Sequence, residues 1–176
     1  MRLLIAVTGA SGARLAEAML RHLPPSVTPY LILSDHARIA MEHEEAGRVF
    51  AFDDIAAPPA SGSFPIDATA VIPCSMNTLA KIACGIADNL VTRAAAVAIK
   101  ERRPLLLAPR EMPFDAIALE NMLKLSRLGV MIAPPVMGYY AEHETVEAME
   151  RFVVGKWFDL LGIRHDLYRR WRIEEI

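Results

Sequence analysis

Cysteine is scarce in this chain. Cys74 and Cys84 are the only two among 176 residues, too few for a disulfide framework and at no metal-binding spacing. A cationic surplus is missing as well: 19 Lys and Arg stand against 21 Asp and Glu, a formal net charge of −2. Nucleic-acid binders usually carry a basic excess, so that partner is not expected, and any positive field has to be focused in a cleft. Long apolar runs are lacking too. Leu128–Ala141 is the longest unbroken stretch of apolar, Gly and Pro residues, still short of the ~18 that a membrane helix needs. Leu3–Val7 is shorter than the ~7–15-residue core of a secretory signal, so a cytoplasmic protein is expected. No repeat or low-complexity tract occurs, and no histidine lies in an HExxH pattern. What the chain does have is hydrophobic content, 53% of its residues, which excludes low-hydrophobicity disorder. Its length fits one domain of roughly 100–200 residues, spanning 1–176.

The pattern along the chain alternates strands with helices. Leu3–Val7 is apolar without alternation and is closed by Thr8-Gly9, as expected of a strand buried on both faces. Helix follows over Ala13–Leu23, strand over Tyr30–Leu33, and helix from the cap Ser34-Asp35 to about Gly47. Between Val49 and Pro65 neither period is present, and Pro58-Pro59-Ala60-Ser61-Gly62-Ser63 reads as loop. Strand Ala68–Ile72, helices Ser75–Gly85 and Asp88–Arg102, strand Leu105–Ala108, helix Phe114–Leu128 and strand Val130–Ala133 come next. In the last helix Val146, Met149, Val153, Trp157 and Leu160 form one apolar stripe. The alternation predicts an open, mostly parallel α/β sheet with five strands. Ligands of such sheets lie beyond the carboxyl ends of the strands, which singles out Gly9–Gly12, Ser34, Pro73–Thr78, Pro109–Glu111 and Pro134–Tyr140.

Several residues in those places suit phosphate chemistry. Gly9-Ala-Ser-Gly12 opens a helix, where backbone N–H groups and the Ser11 hydroxyl suit a phosphate; a tight turn built of small residues fits equally. Ser75, Asn77 and Thr78 supply hydroxyl and amide groups at a second helix start, only one of which N-capping explains. Arg93, Lys100 and Arg110-Glu111 are the charged group of interest, Arg suiting planar bidentate contact and Lys a point charge. Cys74 reads as a packed small hydrophobe. His43-Glu44-Glu45 and Glu142-His143-Glu144 read as surface charge, since adjacent helical residues diverge. Tyr139-Tyr140 suits either core packing or stacking on a planar ligand.

A set of motifs occurs in one order: Gly9-Ala-Ser-Gly12, Ala60-Ser-Gly-Ser63, Pro73-Cys-Ser-Met76, Asp88-Asn-Leu90 with Arg93-Ala-Ala95, Lys100-Glu-Arg-Arg-Pro104, Pro109-Arg-Glu111, Leu119-Glu-Asn-Met-Leu-Lys-Leu125, and the Pro-rich loop ending in Tyr140. Together they resemble the UbiX-like flavin prenyltransferases of the HFCD (cysteine-decarboxylase-like) flavoprotein superfamily, over about Arg2 to Trp171. The resemblance implies a three-layer, Rossmann-like, flavodoxin-type open parallel sheet with helices on both faces, assembled as a homododecamer with sites where subunits meet. It implies FMN, dimethylallyl phosphate as second substrate, no metal, and prenylated FMN made for UbiD-like decarboxylases. Gly9, Ala10, Ser11, Ser34, Ser75, Met76, Asn77, Thr78 and Arg110 are the implied FMN contacts. Tyr140 and Lys156 are implied to bind dimethylallyl phosphate, supported by Arg93, with Ser61 lining the site. Glu111, Glu44 and Lys100 are the implied catalytic groups. Lys156 stands where the family commonly has Arg, exchanging a fork of donors for one ammonium. Two other readings remain: an FMN-dependent decarboxylase or reductase of the same superfamily, and a non-catalytic flavin-binding module.

Overall fold

Six parallel strands make one sheet in this computed structural model, which describes residues 1–9, 12–34, 48–139 and 145–170. They are β1 (Arg2–Val7), β2 (Thr28–Leu33), β3 (Arg48–Ala51), β4 (Ala68–Cys74), β5 (Leu105–Pro109) and β6 (Met131–Ile132). Their order is β3-β2-β1-β4-β5-β6, and each pair of neighbours runs parallel. That is the doubly wound Rossmann order; with β3 set aside, the remaining five follow the flavodoxin order. Direction of winding reverses between β1 and β4, so the ligand crevice of such a sheet lies beyond Val7 and Cys74.

Five α-helices are seen among the described residues: α1 (Ala13–Arg21), α2 (Met76–Ala83), α3 (Leu90–Lys100), α4 (Ala116–Arg127) and α5 (Val146–Leu160). Four of them start on a side-chain cap. Ser75, Asn89, Asp115 and Thr145 each accept the backbone N–H three residues on, an arrangement worth about 1 kcal/mol per helix. The exception is α1, whose N-cap Gly12 has no side chain to offer.

Alternation along β1 divides the core into two layers. Leu3, Ile5 and Val7 face α1 and α5, packing with Met19, Val154, Trp157 and Phe158. Leu4 and Ala6 face α2, α3 and α4, packing with Leu79, Leu90, Ala95 and Leu125. All residues of β4 and β5 are buried, and each fully covered Leu or Ile contributes roughly 1.5–3 kcal/mol. The three layers hold the carboxyl ends of β1, β4 and β5 side by side.

The expected elements differ from the observed ones in two instructive places. A sixth strand, β3, lies within the stretch read as loop; it is a four-residue edge strand with only Phe50 partly covered, too short to show a period. Apolar residues of α5 do not form one buried stripe either. Val153 and Trp157 are buried, but Val146 and Leu160 at its ends are 57% and 46% exposed. Phe152, Val154, Gly155 and Phe158 are buried as well: Val154 and Phe158 pack into the sheet-side core, while Tyr168 and His165 of a following segment cover Phe152 and Gly155 from behind. The helix expected from the cap Ser34-Asp35 to about Gly47 falls, beyond Ser34 itself, outside the described residues.

Candidate active site at the carboxyl edge of the sheet

Thr8 ties the two strands of the switch point together. Its backbone N–H and its hydroxyl both donate to the Pro73 carbonyl, at 3.2 and 3.0 Å. The same hydroxyl oxygen accepts from the Ser75 N–H at 2.9 Å. Thr8 is buried, so these bonds replace water contacts its hydroxyl has lost. Ser75 Oγ in turn donates to Thr78 Oγ1 at 2.9 Å and accepts the Thr78 N–H at 3.3 Å. Thr78 is thereby buried behind Ser75, whereas Met76 is partly exposed and Asn77 exposed at the start of α2.

Facing this network is the start of α1. Gly9 and Gly12 hold φ of +105° and +104°, conformations that favour glycine. A Cβ on Gly12 would lie 3.4 Å from the Pro73 ring and 3.5 Å from Arg110 Cδ. The chain therefore passes close to both, and the β1, β4 and β5 ends converge there. With glycine as cap, the first-turn N–H groups of α1 meet no side-chain acceptor from that position, and the helix dipole favours an anion. Arg110 and Glu111 follow β5 directly and are exposed; Glu111 Oε1 accepts the Met112 N–H at 3.1 Å. Ser34 adjoins the same edge, its N–H donating to the Val7 carbonyl at 3.3 Å. Cys74 is buried, which pushes its thiol up to about 12 and away from nucleophilic use.

Beyond β6 the same edge opens into a groove of about 340 Å³. Lys156 is its cation, set among Pro134, Val136, Met137, Phe152 and Trp157. Trp157 fixes one wall by donating its indole N–H to the Ala133 carbonyl at 2.9 Å.

Three expected site residues are not gathered here. Lys100 closes α3, just before β5 begins, at the amino edge of the sheet. A five-residue strand at ~3.3 Å per residue sets it roughly 16 Å from Arg110 along the sheet. Ser61 is at that far edge too: Arg103 donates to the carbonyls of Gly62 and Phe64, and Lys100 Nζ lies 3.3 Å from where a Gly62 Cβ would stand. Arg93 is exposed on the outer face of α3, about two turns from Lys100. Ala10, Ser11, Glu44 and Tyr140 lie outside the described residues. Thr8 is the member of this network that the sequence did not single out; its only sign was its place between an apolar strand and Gly9.

A parallel sheet whose switch point combines a glycine-capped helix start, a hydroxyl cluster and an arginine defines a phosphate-anchoring, nucleotide-type α/β domain. FMN fits this donor set, its phosphate suiting the α1 start and Arg110. The Flavoprotein family profile matches residues 1–157. Flavin prenyltransferase UbiX of Helicobacter pylori strain 26695 is 46% identical over 97% of this chain and 98% of its own. Among solved structures, a dodecameric FMN-dependent UbiX-like decarboxylase of Escherichia coli O157:H7 matches with a TM-score of 0.92 and 43% identity, covering 98% of this chain and 100% of that one. AnUbiX (PadA1), in complex with FMN and dimethylallyl pyrophosphate, matches with a TM-score of 0.90 and 37% identity, covering 99% and 98%. The chain belongs to the UbiX-like flavin prenyltransferases of the flavoprotein family.

Proposed function

We propose that this protein, working as one domain over 1–176, transfers the dimethylallyl group of dimethylallyl phosphate to N5 and C6 of reduced FMN. The observation that carries the reading is the convergence of the Gly12 helix start, the Thr8–Ser75 network, Arg110 and Glu111 at one strand-end crevice. Reduced FMN, when bound, supplies the nucleophilic N5 and C6 atoms. The α1 start and Arg110 hold the FMN phosphate; Ser75 Oγ, Met76 and Asn77 line its ring side. Glu111 carries the proton leaving N5 or C6. The C–O bond of dimethylallyl phosphate breaks as the bond to N5 forms, and its electron pair leaves with inorganic phosphate; the second bond, to C6, consumes the π bond of the alkene, which takes up one proton while C6 gives one up. Lys156 receives that phosphate while the apolar groove walls take the five-carbon tail. Cations placed where charge develops are how such a step proceeds without Mg²⁺.

The assembly completes the site. Lys100 and Ser61 stand at the other edge of the sheet, so a neighbouring copy brings them, with Arg93, to each crevice. Exposed Ile117, Leu119 and Leu123 on α4, a helix of which only Ala118 and Leu125 are buried, favour such packing. A homododecamer is inferred from the Escherichia coli relative. Prenylated FMN then passes to a UbiD-like decarboxylase, and two free thiols suit a reducing cytoplasm.

Anaerobic incubation with FMN, reductant and dimethylallyl phosphate, followed by mass spectrometry of the extracted flavin, tests this. A gain of one C5H8 unit is expected. Unmodified FMN with consumption of a carboxylic acid substrate would favour the decarboxylase reading, which the name of the Escherichia coli relative raises.

A further inference from the structure

Residues 163–170 form a short segment that returns across α5 and joins Asp159 of that helix in a polar cluster outside the crevice. Asp159 is its centre. Oδ1 accepts from His165 Nε2 at 3.0 Å and from Arg170 at 2.7 Å, and Oδ2 accepts from the Tyr168 hydroxyl. His165 Nδ1 accepts the Leu167 N–H at 3.1 Å, which assigns the ring proton to Nε2 and directs it at Asp159. The Arg170 guanidinium lies 5.6 Å over the Tyr168 ring, a further cation–π attraction.

The segment meets α5 at a position where no side chain fits. A Cβ on Gly155 would fall 2.5 Å from Tyr168 Cδ1 and 2.9 Å from His165 Cε1. Tyr168 also packs on Phe152, ring centroids 5.1 Å apart. Gly155 and Asp159 are one turn apart, so both lie on the clamped side of the helix. Phe152 and Lys156 are also one turn apart, and both line the groove. Trp157 holds the helix from the remaining direction through Ala133. Rotation of α5 is thus fixed from two sides, with Lys156 between them.

We propose that Asp159 is a positioning residue: by holding Tyr168 and His165 on Gly155 and Phe152, it fixes the face of α5 that presents Lys156 to the allylic phosphate. The inference rests on the prenyltransferase reading of the groove. A single ammonium gives a phosphate no fork of donors, so its placement has to come from the helix that carries it.

The test is a double-mutant cycle on the full chain loaded with FMN. Binding of dimethylallyl phosphate to the oxidised holoprotein is measured by calorimetry, and KM and kcat by turnover with reduced FMN. Asp159→Asn is expected to raise Kd and KM about tenfold while kcat and FMN affinity stay within about twofold. In a Lys156→Ala background the same change is expected to add less than about twofold, because the two act through one contact. Tyr168→Phe, which removes a single hydroxyl and keeps the ring, is expected to give about a threefold rise and decides the matter if Asp159→Asn does not fold. An unchanged Kd in these variants, or effects that multiply fully with Lys156→Ala, overturns the inference alone. Wild-type protein that neither binds nor converts dimethylallyl phosphate overturns the prenyltransferase reading and this inference with it.

Discussion

Thr8 donates twice to one oxygen of Pro73, through its backbone N–H at 3.2 Å and its hydroxyl at 3.0 Å. The pairing fixes the separation of β1 and β4 at the place where the sheet reverses its winding. Since the hydroxyl also receives the Ser75 N–H, Thr8→Val keeps the shape but leaves that donor unanswered. A loss of about 1–2 kcal/mol in urea unfolding is expected, together with weaker FMN binding. Thr8→Ser restores both bonds and is expected to recover most of each. Equal FMN affinity in the Val and Ser variants would remove Thr8 from the site.

Gly12 makes a sharper case, because conformation and space are restricted together. Its φ of +104° is unfavourable for any residue with a Cβ, and that Cβ would press on Pro73 at 3.4 Å and Arg110 Cδ at 3.5 Å. Gly12→Ala is expected to cost about 1–2 kcal/mol in stability. Displacement of Arg110 is expected to weaken FMN binding beyond what the stability loss explains. Fluorescence titration with FMN, beside a thermal melt, separates the two effects.

Glu111→Gln keeps size and hydrogen bonding while removing the proton carrier. FMN content is expected to match the wild type, and prenylated flavin to form about 10²–10⁴-fold more slowly. Normal turnover would take the proton-transfer role away from Glu111.

How far the sequence could reveal this site depends on what kind of signal each residue leaves. Continuous apolar runs such as Leu3–Val7 and Leu105–Ala108 are visible because burial on both faces demands them. The loops that follow are visible because Gly, Ser and Pro interrupt those runs. β3 leaves no such trace, being an edge strand with three exposed residues of four. Thr8 leaves none either: a threonine ending a strand looks the same whether or not its hydroxyl bridges two strands. Lys100 and Arg110 look like neighbours along the chain, and only the parallel direction of β5 shows that a strand's length separates them. The polar cluster around Asp159 depends on a return of the chain over α5, which no periodicity encodes.

Acid lability follows from Asp159. Burial opposes its ionisation, but hydrogen bonds from Arg170, Tyr168 and His165 outweigh this and hold the carboxyl at about 2, below its ordinary 3.8. A depressed folded-state value contributes stability that is complete above the unfolded value and is lost as pH falls towards the folded one. The window is therefore pH 4 down to 2, with about 2 kcal/mol at stake. Melting temperatures of wild type and Asp159→Asn are expected to differ most above pH 4 and to converge below it. Asp88 and Glu147, also lowered by Lys81 and by local hydrogen bonds respectively, contribute equally to both proteins and cancel. A gap that persists unchanged down to pH 2 would show that the charge of Asp159 is not what stabilises the clamp.

Placement of Lys100 and Glu111 at opposite edges of one sheet makes subunit sharing testable without a structure of the assembly. Lys100→Ala and Glu111→Gln are each expected to be inactive alone. If every site takes Glu111 from one copy and Lys100 from another, random co-assembly of the two variants leaves about one site in four with both groups intact. Co-expressed, differently tagged chains purified through both tags are then expected to regain a substantial fraction of wild-type prenyl transfer. Were both groups supplied by the same chain, every site would carry one defect and the mixture would stay inactive. Separately purified variants mixed without dissociation serve as the control, since intact homo-oligomers have no means of exchanging the missing group.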